Sequence, residues 1–438
     1  MKICNVVKPQ KTIESIKNAI WRQSHEDIDC DNSYQLVFSQ NSSGCTNSAF
    51  LFDCRDCHDC FGCVGLRNKQ YHIFNKQYTK EEYDEKIKDF DLRSYATLKR
   101  VREHFDTFKL THPRRFARLI NTVNSIGDNL QNTKNCKYCF DKRGGVEDTK
   151  YAVHGGFGMK DSYDTYGTGI CNLFYEAVDA GIGAANNRFV LLCYTCNDIS
   201  YSYNCYNSSN LFGCIGLRNK EYCILNTQYS KEEYERMVPQ IIQSMNESPY
   251  TDQHGRTYGF GEFFPAELSP FAYNETIAQE YFPLTSDEAV SKGYAWRDAE
   301  SNSNVPTLAS ADIPDDISVV TDDILNQAIE CAHAKTCQHL CPGAFRITAF
   351  ELEFLKDMGI ALPRLCPNCR HGERFEARNP VRLWKRTCMC QGVTGGAYTN
   401  STSHAHGTEP CSTTFQTSYS PDRPEIVYCE KCYQSEVV

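Results

Sequence analysis

The 438-residue sequence contains no apolar run long enough to cross a bilayer as a helix, for which about 18 residues are needed. Its opening residues, MKICNVVKPQKTIESIKNAIW, lack the apolar core of a secretory signal, so an export route is not expected. Positive charge is in deficit: the net charge is −9, which argues against a protein that coats nucleic acid by charge alone. Catalytic signatures are missing too. The chain holds no G-x-x-x-x-G-K-[ST], no G-x-S-x-G and no H-E-x-x-H. His371-Gly372-Glu373 follows Cys366 and Cys369, whereas a zinc deaminase places H-x-E before its P-C-x-x-C.

What the chain has in excess is cysteine, 25 residues, many in C-x-x-C pairs. Without an export signal, that usage predicts a reducing, cytoplasmic setting with metal-bound or buried thiols rather than disulfides. One phrase also occurs twice. From Phe61 to Tyr83, 17 of 23 positions match the residues from Phe212 to Tyr234. In the second copy Cys196, Cys205, Cys214 and Cys223 are nine apart; the first offers Cys45, Cys54, Cys63 and then His72. Tyr194, Tyr203 and Phe212 each precede a cysteine by two, and Phe157, Tyr166 and Tyr175 keep the same step. A fixed short period marks a solenoid. The spacing predicts short strands with aromatics and cysteines stacked inside on a nine-residue coil. Each copy ends in an S/T-x-x-E capping box, Thr79 with Glu82 and Ser230 with Glu233, so each reads as a last rung closed by a helix.

Cys54, Cys57, Cys60 and Cys63 stand three apart, a spacing that also suits zinc or an iron–sulfur cluster. Packing is the preferred reading, because the second copy carries Ser208 and Leu211 in place of Cys57 and Cys60. Residues 91–118 read as helices with eight basic against three acidic side chains: a solvated face, or a basic patch. Residues 247–284 hold nine Tyr and Phe with several Pro and Gly. They are expected to form a strap whose rings anchor on the solenoid, the alternative being a stacking platform for single-stranded nucleic acid. Residues 300–320 read as a linker.

The strongest signal follows the linker. Asp322 to Ile329 reads as a short helix. A second helix opens at Thr348 with Glu351 and closes at Gly359, with a Phe350, Phe354 and Met358 stripe. Cysteine pairs completed by C-x-x-C knuckles predict two structural zinc sites. The first uses Cys331, Cys341, Cys366 and Cys369, with Cys337 competing for the first position. The second uses Cys388, Cys411, Cys429 and Cys432, where TSYSPDRPEIV reads as strand–turn–strand. Cys390, His404 and His406 are spare ligands that leave room for a third ion. Between the knuckles run Arg364, Arg370, Arg374, Arg378, Arg382, Lys385 and Arg386, against Glu373 and Glu376 alone. With Trp384 beside them, these residues could hold phosphate and stack a base. The alternative is that they dock on the acidic remainder of the same chain.

The fold class expected is therefore α+β and β-rich: solenoid-like blocks of short strands with helical caps, then two small zinc-ribbon modules. The segments are 1–128, 129–246, 247–320, 321–387 and 388–438. The phrases ELEFLKDMGIALPRLCPNCRHGER, GLRNKEYCILNTQYSKEEYE, GEFFPAELSPFAYNETIAQEYFPLT and SYSPDRPEIVYCEKCY resemble those of a cysteine-rich zinc-ribbon family of uncultured bacteria. Its members are sometimes labelled CaiB/BaiF. The resemblance spans roughly 130–438 and implies zinc ribbons beside a cysteine-rich repeat region. The label implies a CoA-transferase, but the residues spell no CoA site. The chain departs from a compact ribbon in its inserts at 332–340 and 389–410, which leaves the first ligand of each site open. Three functions compete: a non-catalytic zinc protein whose modules bind nucleic acid, RNA first, with a protein partner on the solenoid; a protein-interaction scaffold with structural zinc; and a thiol- or metal-dependent enzyme. The enzyme would need a pocket gathering His154, His254 or the 54–63 cysteines.

Overall fold

The computed structural model describes residues 25–298, 305–334, 336–392 and 398–437. The N-terminal stretch read for an export signal lies outside the described residues.

The fold is mixed α/β, built on many short parallel strands. One sheet sets Tyr34–Val37, Thr46–Ala49, His58–Phe61 and Gln70–Ile73 in parallel, in chain order, and ends on the antiparallel strand Lys76–Gln77. A second, ten-stranded sheet runs in the same manner from Leu119–Val123 to Thr227–Gln228.

The register corrects the nine-residue coil. Tyr34 pairs with Thr46, Thr46 with His58 and His58 with Gln70, so one turn takes twelve residues. The second coil also turns in twelve at Asn197, Ser209 and Glu221, and in thirteen at Lys137, Lys150 and Tyr163. Backbone with φ near +50° recurs at every third residue, at Asn32, Gln35, Phe38 and Asn41 for example. Each such residue makes a corner, and four three-residue sides close a square turn. Every third side chain then points inward. A cysteine step of nine advances one turn and retreats one side, which keeps it inside. The aromatics two positions earlier fall outside instead. Tyr194 stacks on Tyr206 at 5.7 Å, and Tyr203 is 39% exposed. Strand alternation does not survive a corner at every third residue.

Inside the square, serine and cysteine alternate with larger residues such as Leu36, Leu51 and Leu211, and the corners leave backbone groups facing inward. Serine and cysteine satisfy them. Ser39 Oγ accepts the Leu51 N–H at 3.0 Å and donates to the Val37 carbonyl at 3.1 Å. Ser42 treats Cys54 and Gln40 in the same way, at 3.1 Å each. The Cys63 thiol donates to the carbonyls of Phe61 at 3.3 Å and His72 at 3.5 Å. Cys54, Cys57, Cys60 and Cys63 are consecutive inward residues, one on each side of a single turn, and all are buried. At the corners, where left-handed backbone favours Asn and Asp, ladders such as Asn129 to Asp141 and Asn186 to Asp198, both 2.6 Å, tie successive turns.

The repeated phrase closes each coil. Asn75 and Asn226 turn left-handed, at φ 62° and 66°. The Asn75 amide accepts the Val64 N–H and donates to the Val64 carbonyl, both at 2.8 Å; Asn226 does the same for Ile215 at 2.8 and 2.9 Å. One side chain thus stands in for the missing next turn. Both capping boxes are fully bonded, at the heads of helices Lys80–Lys86 and Lys231–Glu247.

Outside the coils, Phe50 and Phe61 pack against Leu98, Val101 and Phe105 of helix Tyr95–Leu110. The same core takes in Ile313, Ile317, Val320 and Ile324, so the 313–320 end of the expected linker is packed while 305–312 is mostly exposed; residues 300–304 lie outside the described residues. The strap anchors as expected. Phe260 lies 6.0 Å from Phe189, Phe264 lies 5.8 Å from Tyr201, and Tyr281 lies 5.8 Å from Tyr166. In helix Ala349–Met358 the buried face is Leu352 and Leu355, while Phe350 is exposed, so the expected stripe is displaced. The reading of Asp322 to Ile329 shrinks to a short 3-10 turn, Asp322–Asn326, followed by strand Ile329–Glu330. TSYSPDRPEIV does run strand–turn–strand, but its strands pair elsewhere: Thr414–Thr417 with Trp384–Thr387, and Val427–Tyr428 with Arg114–Arg115 beside the first coil's helix. No helix among the described residues is long and apolar enough to cross a membrane.

Candidate metal centres

The chain brings together both expected cysteine quartets. The sulfurs of Cys331, Cys341, Cys366 and Cys369 all lie within 4.8 Å of one another and are buried; so do those of Cys388, Cys411, Cys429 and Cys432. Cys331 stands 3.7 Å from Cys369, Cys341 3.9 Å from Cys366, and Cys411 3.9 Å from Cys429. A tetrahedral ion with ~2.3 Å bonds separates its sulfurs by about 3.8 Å. None of these cysteines is in a disulfide.

Local backbone builds each knuckle. Cys366 is the N-cap of helix Pro367–Glu376, and its sulfur accepts the Cys369 N–H at 3.4 Å. The Cys366 N–H points at Cys331 Sγ at 3.3 Å, the Gly343 N–H at Cys341 Sγ at 3.4 Å, and the Cys429 N–H at Cys388 Sγ at 3.1 Å. Such donors and the helix N-terminus favour thiolate. Burial works against it, pushing the Cys366 thiol up to about 11 and Cys388 up to about 12. Four thiolates packed this closely call for a cation, and the all-sulfur tetrahedral set fits a thiophilic ion.

The alternates fall elsewhere. Cys337 does not displace Cys331. It groups with His333, His339 and Cys369, just as Cys390 groups with His404, His406 and Cys432. His333 and His339 were missed by the sequence reading, although C-x-H-x-x-x-C-x-H-x-C over 331–341 carries their signal. None of the coil cysteines belongs to any of these groups. His371 pairs instead with Glu280 at 3.2 Å.

The arginine stripe turns mostly inward. Arg364 is buried over the Tyr95 ring and donates to the carbonyls of Ile313 and Pro314 at 2.9 and 3.0 Å. Arg370 meets Glu351 at 2.8 Å, and Arg374 meets Glu26 at 2.9 Å. Arg378 meets Asp29 and Asp141 at 3.3 and 2.7 Å. Arg386 donates to the Ser420 carbonyl at 3.0 Å. Arg382 and Lys385 are exposed, with Arg382 over the half-buried Trp384 ring at 5.2 Å. The basic segment 91–118 is also engaged: Arg115 pairs with Glu430 at 2.6 Å, and Arg118 with Asp31 at 3.2 Å.

Clefts indent the body among the described residues. One lies between the coils, lined by Asp29, Arg118, Asp128, Asp141 and Arg378 among others; another is lined by His25, Arg102, Arg370 and Glu373 among others. Neither gathers His154, His254 or the 54–63 cysteines. No protein-family model and no curated protein matches the sequence.

Proposed function

We propose that this protein is a non-catalytic scaffold whose zinc-stapled C-terminal modules fasten two square β-coils into one body that holds a protein partner. The observation that carries this reading is the destination of the arginines. Arg374 and Arg378, just beyond the Cys366–Cys369 knuckle, reach carboxylates of the first coil at Glu26 and Asp29, and Arg378 also reaches Asp141 of the second. A basic stripe spent on internal carboxylates is a clamp. Zinc is favoured because the four-cysteine sets leave no open position, as in structural sites, and each such ion can contribute about 10–16 kcal/mol of apparent binding free energy. The wealth of free thiols supports a reducing compartment.

Nucleic acid is the second reading, and one feature favours it: Arg382 and Lys385 stay exposed beside Trp384. A gel-shift titration with single-stranded RNA at two salt concentrations, run beside melting curves, separates the two. The scaffold reading expects no shift, and a lowered melting point for the double variant Arg374→Ala with Arg378→Ala. A salt-sensitive shift abolished by Arg382→Ala with Lys385→Ala would transfer the function to RNA. Metal analysis that finds no zinc would remove the staple.

A further inference from the structure

We infer that each C-terminal module holds a thiolate-bridged pair of metal ions, so that the chain carries one ion in each of the four Cys/His groups. This rests on the zinc reading above and doubles its metal content. The first observation is shared membership. Cys369 belongs both to its four-cysteine group and to the group with His333, Cys337 and His339; Cys432 belongs both to its own quartet and to the group with Cys390, His404 and His406. In each module the shared residue is the second cysteine of the C-x-x-C knuckle. A thiolate has lone pairs enough to serve two ions.

The contacts fit that sharing. Cys337 Sγ lies 3.4 Å from Cys369 Sγ. His406 Nε2 lies 3.3 Å from both Cys432 Sγ and Cys390 Sγ, and His404 Nδ1 lies 3.2 Å from Cys390 Sγ.

The second observation is how the imidazoles are aimed. Nδ1 of His333 and of His339 is buried and makes no hydrogen bond. Their other nitrogens face acids: His339 Nε2 stands 2.7 Å from Glu376, and His333 Nε2 stands 3.7 Å from Glu373. In the second module His404 Nε2 faces Glu436 at 3.2 Å, and His406 Nδ1 faces the Glu409 carbonyl at 2.6 Å. One ring nitrogen toward thiols and the other held by a carboxylate or carbonyl is the arrangement that fixes a metal-ligating histidine. Three histidines adopt it, in two modules whose sequences differ, and His333 turns the same way toward Glu373 across 3.7 Å.

Both modules reach the same inventory: five cysteines and two histidines, with one sulfur counted twice. Two divalent ions then leave each module at the same net charge, −1. A lone structural ion would need neither the histidines nor Cys337 and Cys390.

Elemental analysis of the full chain, purified with zinc and without chelator, should find close to four zinc ions. Two ions would overturn the pairing and leave the scaffold reading standing; none would remove both. His339→Ala and His404→Ala should each lose one ion while the quartets keep theirs, and Cys369→Ser should lose two. Reconstitution with Co(II) tests the bridge directly. A shared thiolate couples the two high-spin ions, so the fully loaded protein should show much less EPR intensity than its cobalt content requires. His339→Ala should restore the signal of an isolated ion in the first module. Full EPR intensity at four Co(II) per chain would overturn the bridge.

Discussion

Arg378 Nη2 donates to Asp141 Oδ2 at 2.7 Å while its Nε faces Asp29 Oδ2 at 3.3 Å, so one guanidinium joins carboxylates from both coils. Burial opposes the arginine's charge, but Asp141 and Asp29 outweigh it and hold its pKa above the ordinary value. The same burial pushes the Asp29 carboxyl up. Neither carboxylate is well placed to lose its partner.

Arg378→Ala should therefore destabilise the chain by about 1–3 kcal/mol, less than a fully buried pair because all three side chains keep some contact with water. Arg378→Lys should recover only part of the loss, since an ammonium cannot reproduce the fork. Guanidinium unfolding of the three proteins checks this. Overlapping curves would mean that the junction is held by other contacts.

The asparagine caps give a matched pair. Val64 is buried and Ile215 is 60% exposed, although each gives its N–H and carbonyl to an asparagine in the same manner. Glycine keeps the left-handed corner and deletes the amide. Asn75→Gly should cost about 1–3 kcal/mol because buried backbone groups lose their partners. Asn226→Gly should cost clearly less, as water reaches Ile215. Equal losses in thermal unfolding would contradict the role given to burial.

The duplicated phrase, its capping boxes and the knuckle half of each quartet were legible because each is local: a helix start within four residues, a knuckle within four. The coil period was not. Inward positions recur every three residues, so steps of nine and of twelve are both in phase, and cysteine spacing alone cannot choose between them. Only the pairing of Tyr34 with Thr46 decides. The aromatics were misplaced for a related reason, since alternation assumes extended backbone and here every third residue is left-handed. The arginine stripe was visible as charge, but its partners Glu26, Asp29 and Asp141 lie more than 230 residues away in sequence. His333 and His339 carry no such knuckle signature, because they meet the knuckle only through Cys369, more than 29 residues further along the chain.

The coil interior makes a prediction about thiol chemistry. Cys214 Sγ donates to the carbonyls of Phe212 at 3.5 Å and Cys223 at 3.4 Å, and burial raises its pKa. One turn earlier in the same column, Ser202 Oγ donates to the Ser200 carbonyl at 3.0 Å and accepts the Cys214 N–H at 3.2 Å. Cys214→Ser should then cost under about 1 kcal/mol, because a hydroxyl takes over the donor role. Cys214→Val should cost about 1–3 kcal/mol, from overpacking and from carbonyls left without a donor. Native Cys214 should resist a bulky thiol reagent until the coil unfolds. Rapid labelling, or a serine variant weaker than the valine one, would contradict this account of the lumen.

Lys142 is the one lysine wholly buried among the described residues, and it sits at an inward position of the second coil. Its Nζ donates to the His154 carbonyl at 2.6 Å, and no carboxylate pairs with it. Burial lowers its pKa from 10.5 to about 8, against the opposing influence of Cys139, Cys171, Cys136 and Asp141. Between those two values the unfolded chain binds more proton at this site than the folded one, so the lysine's contribution to stability rises with pH across that window. Below pH 8 the amine is charged in both states and its desolvation penalty is constant. Lys142→Met removes the penalty and keeps the volume. The variant should be more stable than the parent near pH 7, and its advantage should shrink by about 3 kcal/mol on going from pH 8 to 10.5. Denaturant titrations of both proteins across that range, compared as a difference, cancel the titration of distant groups. A difference that stays flat with pH would show that Lys142 keeps its ordinary pKa inside the coil.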